Sequence, residues 1–257
     1  MNLSIVLITY NEEANLPRTL ESVMPLVRDG QGEIVVVDSG STDRTPEIAR
    51  AQGAKVYVEP WKGFAAQKNS AMDKASGDWV LQLDADEALE TGLTEEIAAI
   101  LRGRPAISGF WIPRKNFFLG RWIKHGGFYP DPKLRLVRRG AGRFVEYGAH
   151  PTMKVDGSTG RFSCALLHPA YPTLRGYIDH MNSYSSMGAG IAAERGHGHF
   201  SVLNIVARPL LTFIYNYFFR LGFLDGKQGF IFHFLQGFWF RLLVDINIEE
   251  MKSGKRR

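Results

Sequence analysis

Asp84 and Asp86 stand one residue apart, as Asp84-Ala85-Asp86, at the end of the apolar run Trp79-Val80-Leu81-Gln82-Leu83. Two carboxylates at that spacing can hold a hard divalent cation, because Mg²⁺ and Mn²⁺ prefer oxygen donors and keep positions open for phosphate oxygens and water. A cation held there would neutralise a departing diphosphate as a Lewis acid. The plainer alternative makes Asp84, Asp86 and Glu87 turn formers and solvated charges. Two more polar clusters also follow apolar runs. Asp38 closes Val35-Val36-Val37 and opens Ser39-Gly40-Ser41-Thr42-Asp43. Its carboxylate either accepts hydrogen bonds from a nucleobase N–H or a ribose hydroxyl, or closes an Asx turn, with Asp43 in a similar capping role. Thr9-Tyr10-Asn11-Glu12 follows the first apolar run, and there Asn11 either faces a ligand or caps a helix.

The elements that must position these clusters are legible from periodicity. Leu3-Ser4-Ile5-Val6-Leu7-Ile8, Glu33-Ile34-Val35-Val36-Val37, Lys55-Val56-Tyr57-Val58 and residues 79–83 have the length and composition of buried strands. Between them lies first a helix with Leu16, Leu20, Val23 and Val27 on one face. A second helix opens with Thr45 as N-cap and Pro46 at its first position, and runs through Gln52. Further helices are expected over residues 64–75 and 93–101. This alternation predicts an α/β fold, a mostly parallel sheet with helices on both faces. Such sheets bind ligands beyond the carboxyl ends of their strands, where all three polar clusters fall.

From about Gly109 the pattern changes to short strands, glycines and aromatics, with a basic run at Arg135, Arg138, Arg139 and Arg143. Helical signals return over residues 173–194. The lone cysteine, Cys164, leaves no disulfide framework and no cysteine-based zinc site, and Phe162-Ser163-Cys164-Ala165-Leu166 reads as a strand with an inert thiol. The first residues lack a basic stretch and a cleavage pattern, so no signal peptide and a reducing cytoplasm are expected. A net charge of +5 and a pI near 9.3 favour acidic partners, but no nucleic-acid module is present and no nucleic-acid partner is expected. From Val202 the chain is apolar and aromatic. Arg208-Pro209 and Arg220 interrupt it, which suits helices lying in a headgroup region, with packed helices as the alternative.

Ile8-Thr9-Tyr10-Asn11-Glu12, residues 35–43 and Leu83-Asp84-Ala85-Asp86 resemble, in order and spacing, the signatures of the family-2 glycosyltransferases. His125-Gly126-Gly127-Phe128-Tyr129-Pro130-Asp131 and Leu134-Arg135-Leu136 are similar to the branch that builds lipopolysaccharide core and other envelope glycans. The resemblance implies the GT-A fold, an inverting transfer from a nucleotide-sugar donor, and a divalent cation (Mg²⁺ or Mn²⁺). It implies that Thr9, Tyr10, Asn11 and Glu12 line the nucleotide pocket, with Asp38 on the base, Asp84 on the ribose and Asp86 on the metal. Lys68 either approaches the donor or is a solvated lysine. Asp131 is the candidate catalytic base, Glu146 a stand-in, and His150 or His168 a further metal ligand. Relatives often carry His-Glu where this chain has His150-Pro151, a departure that removes one carboxylate.

The implied organisation is a catalytic domain over residues 1–200, with a nucleotide-sugar half (1–105) and an acceptor half (106–200), and a membrane-associating helical tail over 201–257. The implied partners are the nucleotide sugar, a lipid-linked glycan acceptor and the cytoplasmic face of the inner membrane, met in a peripheral or monotopic way. Two alternatives keep part of this reading. One is a polyprenyl-phosphate acceptor whose own phosphate attacks, and the other an inactive, membrane-tethered assembly factor.

Overall fold

The computed structural model describes residues 2–30, 32–103, 105–146, 151–194 and 206–252. Packing divides the chain into two compact units, Met1–Arg114 with Asp131–His168, and Lys115–Pro130 with Pro169–Arg257.

In the first unit, β1 (Leu3–Thr9), β2 (Gly32–Asp38), β3 (Lys55–Val58) and β4 (Trp79–Asp84) form the parallel heart of a sheet, with β4 beside β1, then β2 and β3. Side chains alternate across such a strand. Leu3, Ile5 and Leu7 therefore enter one core with Leu16, Leu20 and Val23 of α1 (Leu16–Val27), Ala49 of α2 (Thr45–Ala51), and Leu93 and Ile97 of α4 (Thr91–Arg102). Val6, Val35, Val37 and Val80 enter another with Ala65, Ala71 and Met72 of α3 (Phe64–Asp73). Both faces are covered, which is why these strands read as unbroken apolar runs.

Beyond β4 the sheet continues through β9 (Lys133–Arg138), β6 (Gly109–Ile112) and β12 (Thr159–Arg161). β9 runs antiparallel to both β4 and β6, so the sheet is mixed, with its parallel pairs in the majority. β5 (Ala88–Leu89) pairs antiparallel with the start of β13 (Leu166–Tyr171), and β10 (Gly142–Val145) with β11 (Thr152–Val155). Phe162-Ser163-Cys164-Ala165 is a connection between β12 and β13, which corrects the expected strand there. The backbone N–H groups of Ser163 and Cys164 donate to Glu96 instead of a ladder.

The helices begin and end close to their expected limits, with one difference at α2. Thr45 is its first helical residue, and its hydroxyl accepts the Glu12 N–H at 2.7 Å, so it tethers the preceding loop instead of capping its own helix.

The second unit pairs β7 (Arg114–Phe118) with the two-residue β8 (Arg121–Trp122). It adds α5 (Leu174–Glu194), α6 (Arg208–Ile214), α7 (Gly226–Phe234) and α8 (Phe240–Lys252). Its core gathers Phe118, Ile123, Tyr177, Met181 and Phe232. Among the described residues one helical run, Gly222–Met251, is long and apolar enough to cross a membrane by length and composition.

Candidate functional site

Three loops leave the carboxyl ends of β1, β2 and β4, and hydrogen bonds join the first two side by side. Asn11 takes a left-handed backbone (φ 54°). Its N–H donates to Ser41 Oγ at 2.8 Å, and its Oδ1 accepts the Thr42 N–H at 2.8 Å. Similar bonds cross the gap beside it, Glu13 N–H to Asp43 at 3.1 Å and Arg44 N–H to Glu13 at 3.1 Å. Asn11 thus latches the second loop, while Asn15 takes the N-cap position of α1.

Asp38 is 1% exposed and accepts from Thr9 Oγ1 (2.8 Å), Gly40 N (3.0 Å), Ser41 N (2.8 Å) and Ser41 Oγ (2.5 Å). Four donors reach this carboxylate, and the bond from the Gly40 N–H closes the Asx turn. Thr9, which makes one of these bonds, is 3% exposed. Tyr10 is 58% exposed, leaving its ring free to meet a planar ligand.

The third loop carries the Asp-Ala-Asp pair, and the two carboxylates have different company. Asp84 accepts from Lys68 Nζ at 2.5 Å, Arg135 Nη2 at 2.6 Å and Gln82 Nε2 at 3.2 Å. Burial works against its charge, but Arg135 and Lys68 outweigh that and hold it well below the usual carboxylate range. On Lys68 burial dominates and pulls its pKa down, against the attraction of Asp84. Lys68 is therefore no solvated lysine. It is 6% exposed and aimed at the loop.

Asp86 has a different partner. Its Oδ2 lies 3.2 Å from His168 Nε2, with side-chain exposures of 32% and 16%. Burial raises its pKa, and the hydrogen bond and charge of His168 bring the balance below the ordinary value. The loop is held by Thr19 Oγ1 on Ala85 O (2.7 Å) and Arg18 Nη2 on Asp86 O (2.7 Å), both from α1. Glu12 is raised, by burial first and then by the charges of Asp86, Asp43 and Asp84. Negative charge thus accumulates at the strand ends, on the side where His168 sits. His150 lies outside the described residues. Glu146 accepts the Ala65 N–H at 3.3 Å, at the start of α3.

Arg114 and Lys133 both grip Asp131. Arg114 donates to its Oδ2 from Nε (3.0 Å) and Nη2 (2.7 Å), and Lys133 Nζ lies 2.8 Å from Oδ1. Burial pushes its pKa up, but Arg114 and Lys133 bring it down to about 2. Arg114 also reaches Glu87 (3.1 Å), and Glu87, fully buried, meets Arg135 (2.8 Å). A ladder of alternating charge therefore runs Lys68–Asp84–Arg135–Glu87–Arg114–Asp131–Lys133. Sequence reasoning missed Glu87 and Arg114 as members. The available signal was a charge of each sign beside the cluster, at Glu87 and in Leu134-Arg135-Leu136, but nothing in one dimension pairs them.

The donor set near Asp86 suits a divalent cation in an open site. Asp86 and His168 offer one oxygen and one nitrogen, a mixture acceptable to Mn²⁺, with the remaining positions left to phosphate and water. Among the described residues no three of the His, Cys, Asp and Glu side chains converge as a closed metal cage.

A family model described as Glycosyl transferase family 2 matches residues 4–161. The chain is 30% identical over 247 residues to the lipopolysaccharide core biosynthesis glycosyltransferase LpsC of Rhizobium meliloti, covering 91% of this chain and 89% of that one. It is 29% identical over 241 residues to an uncharacterized glycosyltransferase of Rickettsia typhi, covering 89% and 80%. Among solved structures, the mannosyltransferase PcManGT from Pyrobaculum calidifontis, in complex with GDP-Man and Mn²⁺, shares the fold. Its TM-score is 0.57 at 15% identity, over 98% of this chain and 88% of that one.

Proposed function

The chain belongs to glycosyl transferase family 2 and has the GT-A fold, and on that premise we propose its donor, metal and acceptor. It transfers a sugar from a nucleotide-sugar donor to a lipid-linked glycan of the lipopolysaccharide core or a related envelope glycan. The LpsC likeness over nearly the whole chain supports that acceptor class. The observation that carries the donor reading is the Asp86–His168 contact at the open ends of the strands, beside the exposed Tyr10.

Asp86 and His168 would hold a divalent cation, which supplies Lewis-acid neutralisation of the leaving diphosphate. The chain's own residues do the rest. Tyr10, Asn11 and Glu12 face the nucleotide, while Thr9 and Asp38 shape that pocket from beneath. Lys68 and Arg135 keep Asp84 anionic and oriented toward the ribose. The acceptor hydroxyl attacks the anomeric carbon as the bond to the diphosphate breaks, which inverts the centre, and its proton passes to Asp131. The enzyme works at the cytoplasmic face of the inner membrane, and the exposed apolar side chains of α6 and α7 support the membrane contact.

The grip of Arg114 and Lys133 on Asp131 favours a second reading. A carboxylate with a pKa of about 2 is a weak proton acceptor, whereas a polyprenyl-phosphate acceptor attacks through an oxygen that is already ionised. A thermal-shift screen of nucleotide-diphosphate sugars with and without Mn²⁺ tests the donor and metal together, since a ligand of the native state raises its stability by mass action. The expected result is a shift with one donor class that needs the metal. No shift with any donor would sink the proposal.

A further inference from the structure

The second unit carries exposed charge of one sign around an apolar turn, and we propose that this turn seats the enzyme on an anionic bilayer by entering one leaflet. The exposed charged residues of stretches 115–130 and 206–230 are Arg121, Lys124, Arg208, Arg220 and Lys227, and the single carboxylate there is Asp225. Asp225 adds nothing to the surface, being 3% exposed. It accepts the His125 N–H at 2.9 Å and lies 2.8 Å from His125 Nδ1.

The apolar part is continuous. Leu211, Tyr215 and Phe219 succeed one another at about one helical turn and are 62%, 57% and 75% exposed. The chain then turns through Leu221, whose φ is 61°, and exposes Phe223 and Leu224. The turn is built rather than loose. Arg220 O accepts the Gly126 N–H at 2.8 Å, and Leu224 O accepts from Arg121 Nη2 at 3.2 Å. A Cβ on Gly126 would strike the His233 ring, and one on Gly127 the Arg220 guanidinium. Both glycines are thus needed for this apex to close.

Charge selects the occupant. Aromatic and aliphatic side chains ringed by cations match acyl chains beneath anionic headgroups. A second copy fits worse, because a two-fold contact would set these cations against themselves. The helical run Gly222–Met251 does not span, because its later part is committed to α5. Gln236 accepts from Tyr177 OH at 2.7 Å, and Asn247 Nδ2 donates to Ser185 Oγ at 3.0 Å. The other side of α5 exposes Arg175, Asp179, Asn182 and Ser183, groups that hydrocarbon would strip of water.

This inference rests on the membrane-side acceptor of the reading above only for its purpose, and its test needs no transfer reaction. The full chain is floated with vesicles of phosphatidylglycerol and phosphatidylethanolamine, and with phosphatidylcholine alone. Binding to the anionic vesicles is expected, weakening as salt rises. The double variant Phe219→Ser, Leu224→Ser should bind about tenfold more weakly or worse. Lys227→Ala should lose roughly fivefold. Ile246→Ser, an exposed apolar change at the acidic end of α8, should bind like the parent. Circular dichroism melting confirms that each variant is folded. Equal binding to both vesicle types overturns the proposal, as does full binding by the double variant. So does a dimer that the double variant dissociates, or retention of the chain on the membrane through alkaline carbonate. Failed transfer with intact vesicle binding would sink the functional reading and leave the seat standing.

Discussion

At neutral pH Asp131 is ionised and close to Arg114 and Lys133, so its use as a base depends on what those cations do when an acceptor arrives. If it takes the hydroxyl proton, Asp131→Asn lowers kcat by roughly 10²–10⁴-fold. Unchanged turnover in steady-state assays would point to the phosphate acceptor. The pH profile carries a separate signature. With its pKa at about 2, Asp131 loses its charge only in strong acid, so kcat/KM should stay flat through the mildly acidic range. Arg114→Gln removes the nearer cation, and the acid limb should then move up toward the ordinary aspartate range. An acid limb that stays in place would show that Arg114 does not set this acidity. Asp86→Ala should cost about 100-fold or more in kcat/KM at saturating Mn²⁺ and weaken Mn²⁺ binding by calorimetry. Asp84 differs, since a substitution would leave the buried Lys68 without its carboxylate, while Arg135 would keep Glu87.

Among the elements, the two loops after β1 and β2 behave as one body. Asp38 holds four donors in an almost fully buried position, so Asp38→Ala strands those donors. Urea denaturation should register a loss of about 2–4 kcal/mol, larger than for an exposed aspartate. Asp38→Asn keeps an acceptor oxygen and should lose less. Equal stability of Asp38→Ala and the parent would mean that the latch is incidental. A second element depends on a glycine. Gly77 leads into β4, and a Cβ there would lie 2.8 Å from Asn2 O and Ser4 N, both backbone atoms of the neighbouring strand region. Backbone cannot swing aside as a side-chain tip can, so Gly77→Ala should cost about 1–3 kcal/mol and shift β4 together with the Asp84 loop.

Across the whole molecule, carboxylates paired with cations tie stability to pH. Glu33, Glu59 and Asp131 are held at about 2, and Asp84 well below the usual range. A depressed folded pKa adds stability above the unfolded value of roughly 4, and this is lost as pH falls through the folded one. Stability by denaturant midpoint should therefore hold from neutral pH to about 5, then decline steadily toward pH 2. Glu59 contributes least, because its pairs are solvent-screened. A midpoint unchanged down to pH 3 would contradict this account.

Sequence alone determined the repeating strand–helix order, the mixed sheet's parallel heart and the three polar clusters at its carboxyl edge. These follow from periodicity and turn chemistry, which act over a few residues and so are written locally. Only the tertiary structure decided how the clusters divide their work. Asp38 and Thr9 lie 29 residues apart, yet neighbouring strands join them in one hydrogen-bonded cluster with Ser41. Asp84 and Asp86, one residue apart, part company because Lys68 and Arg135 approach the first and His168 the second. Those partners lie 16, 51 and 82 residues away along the chain. Charge pairing over such separations depends on which strands become neighbours. It is therefore a property of the packed sheet and leaves no periodic trace in the sequence.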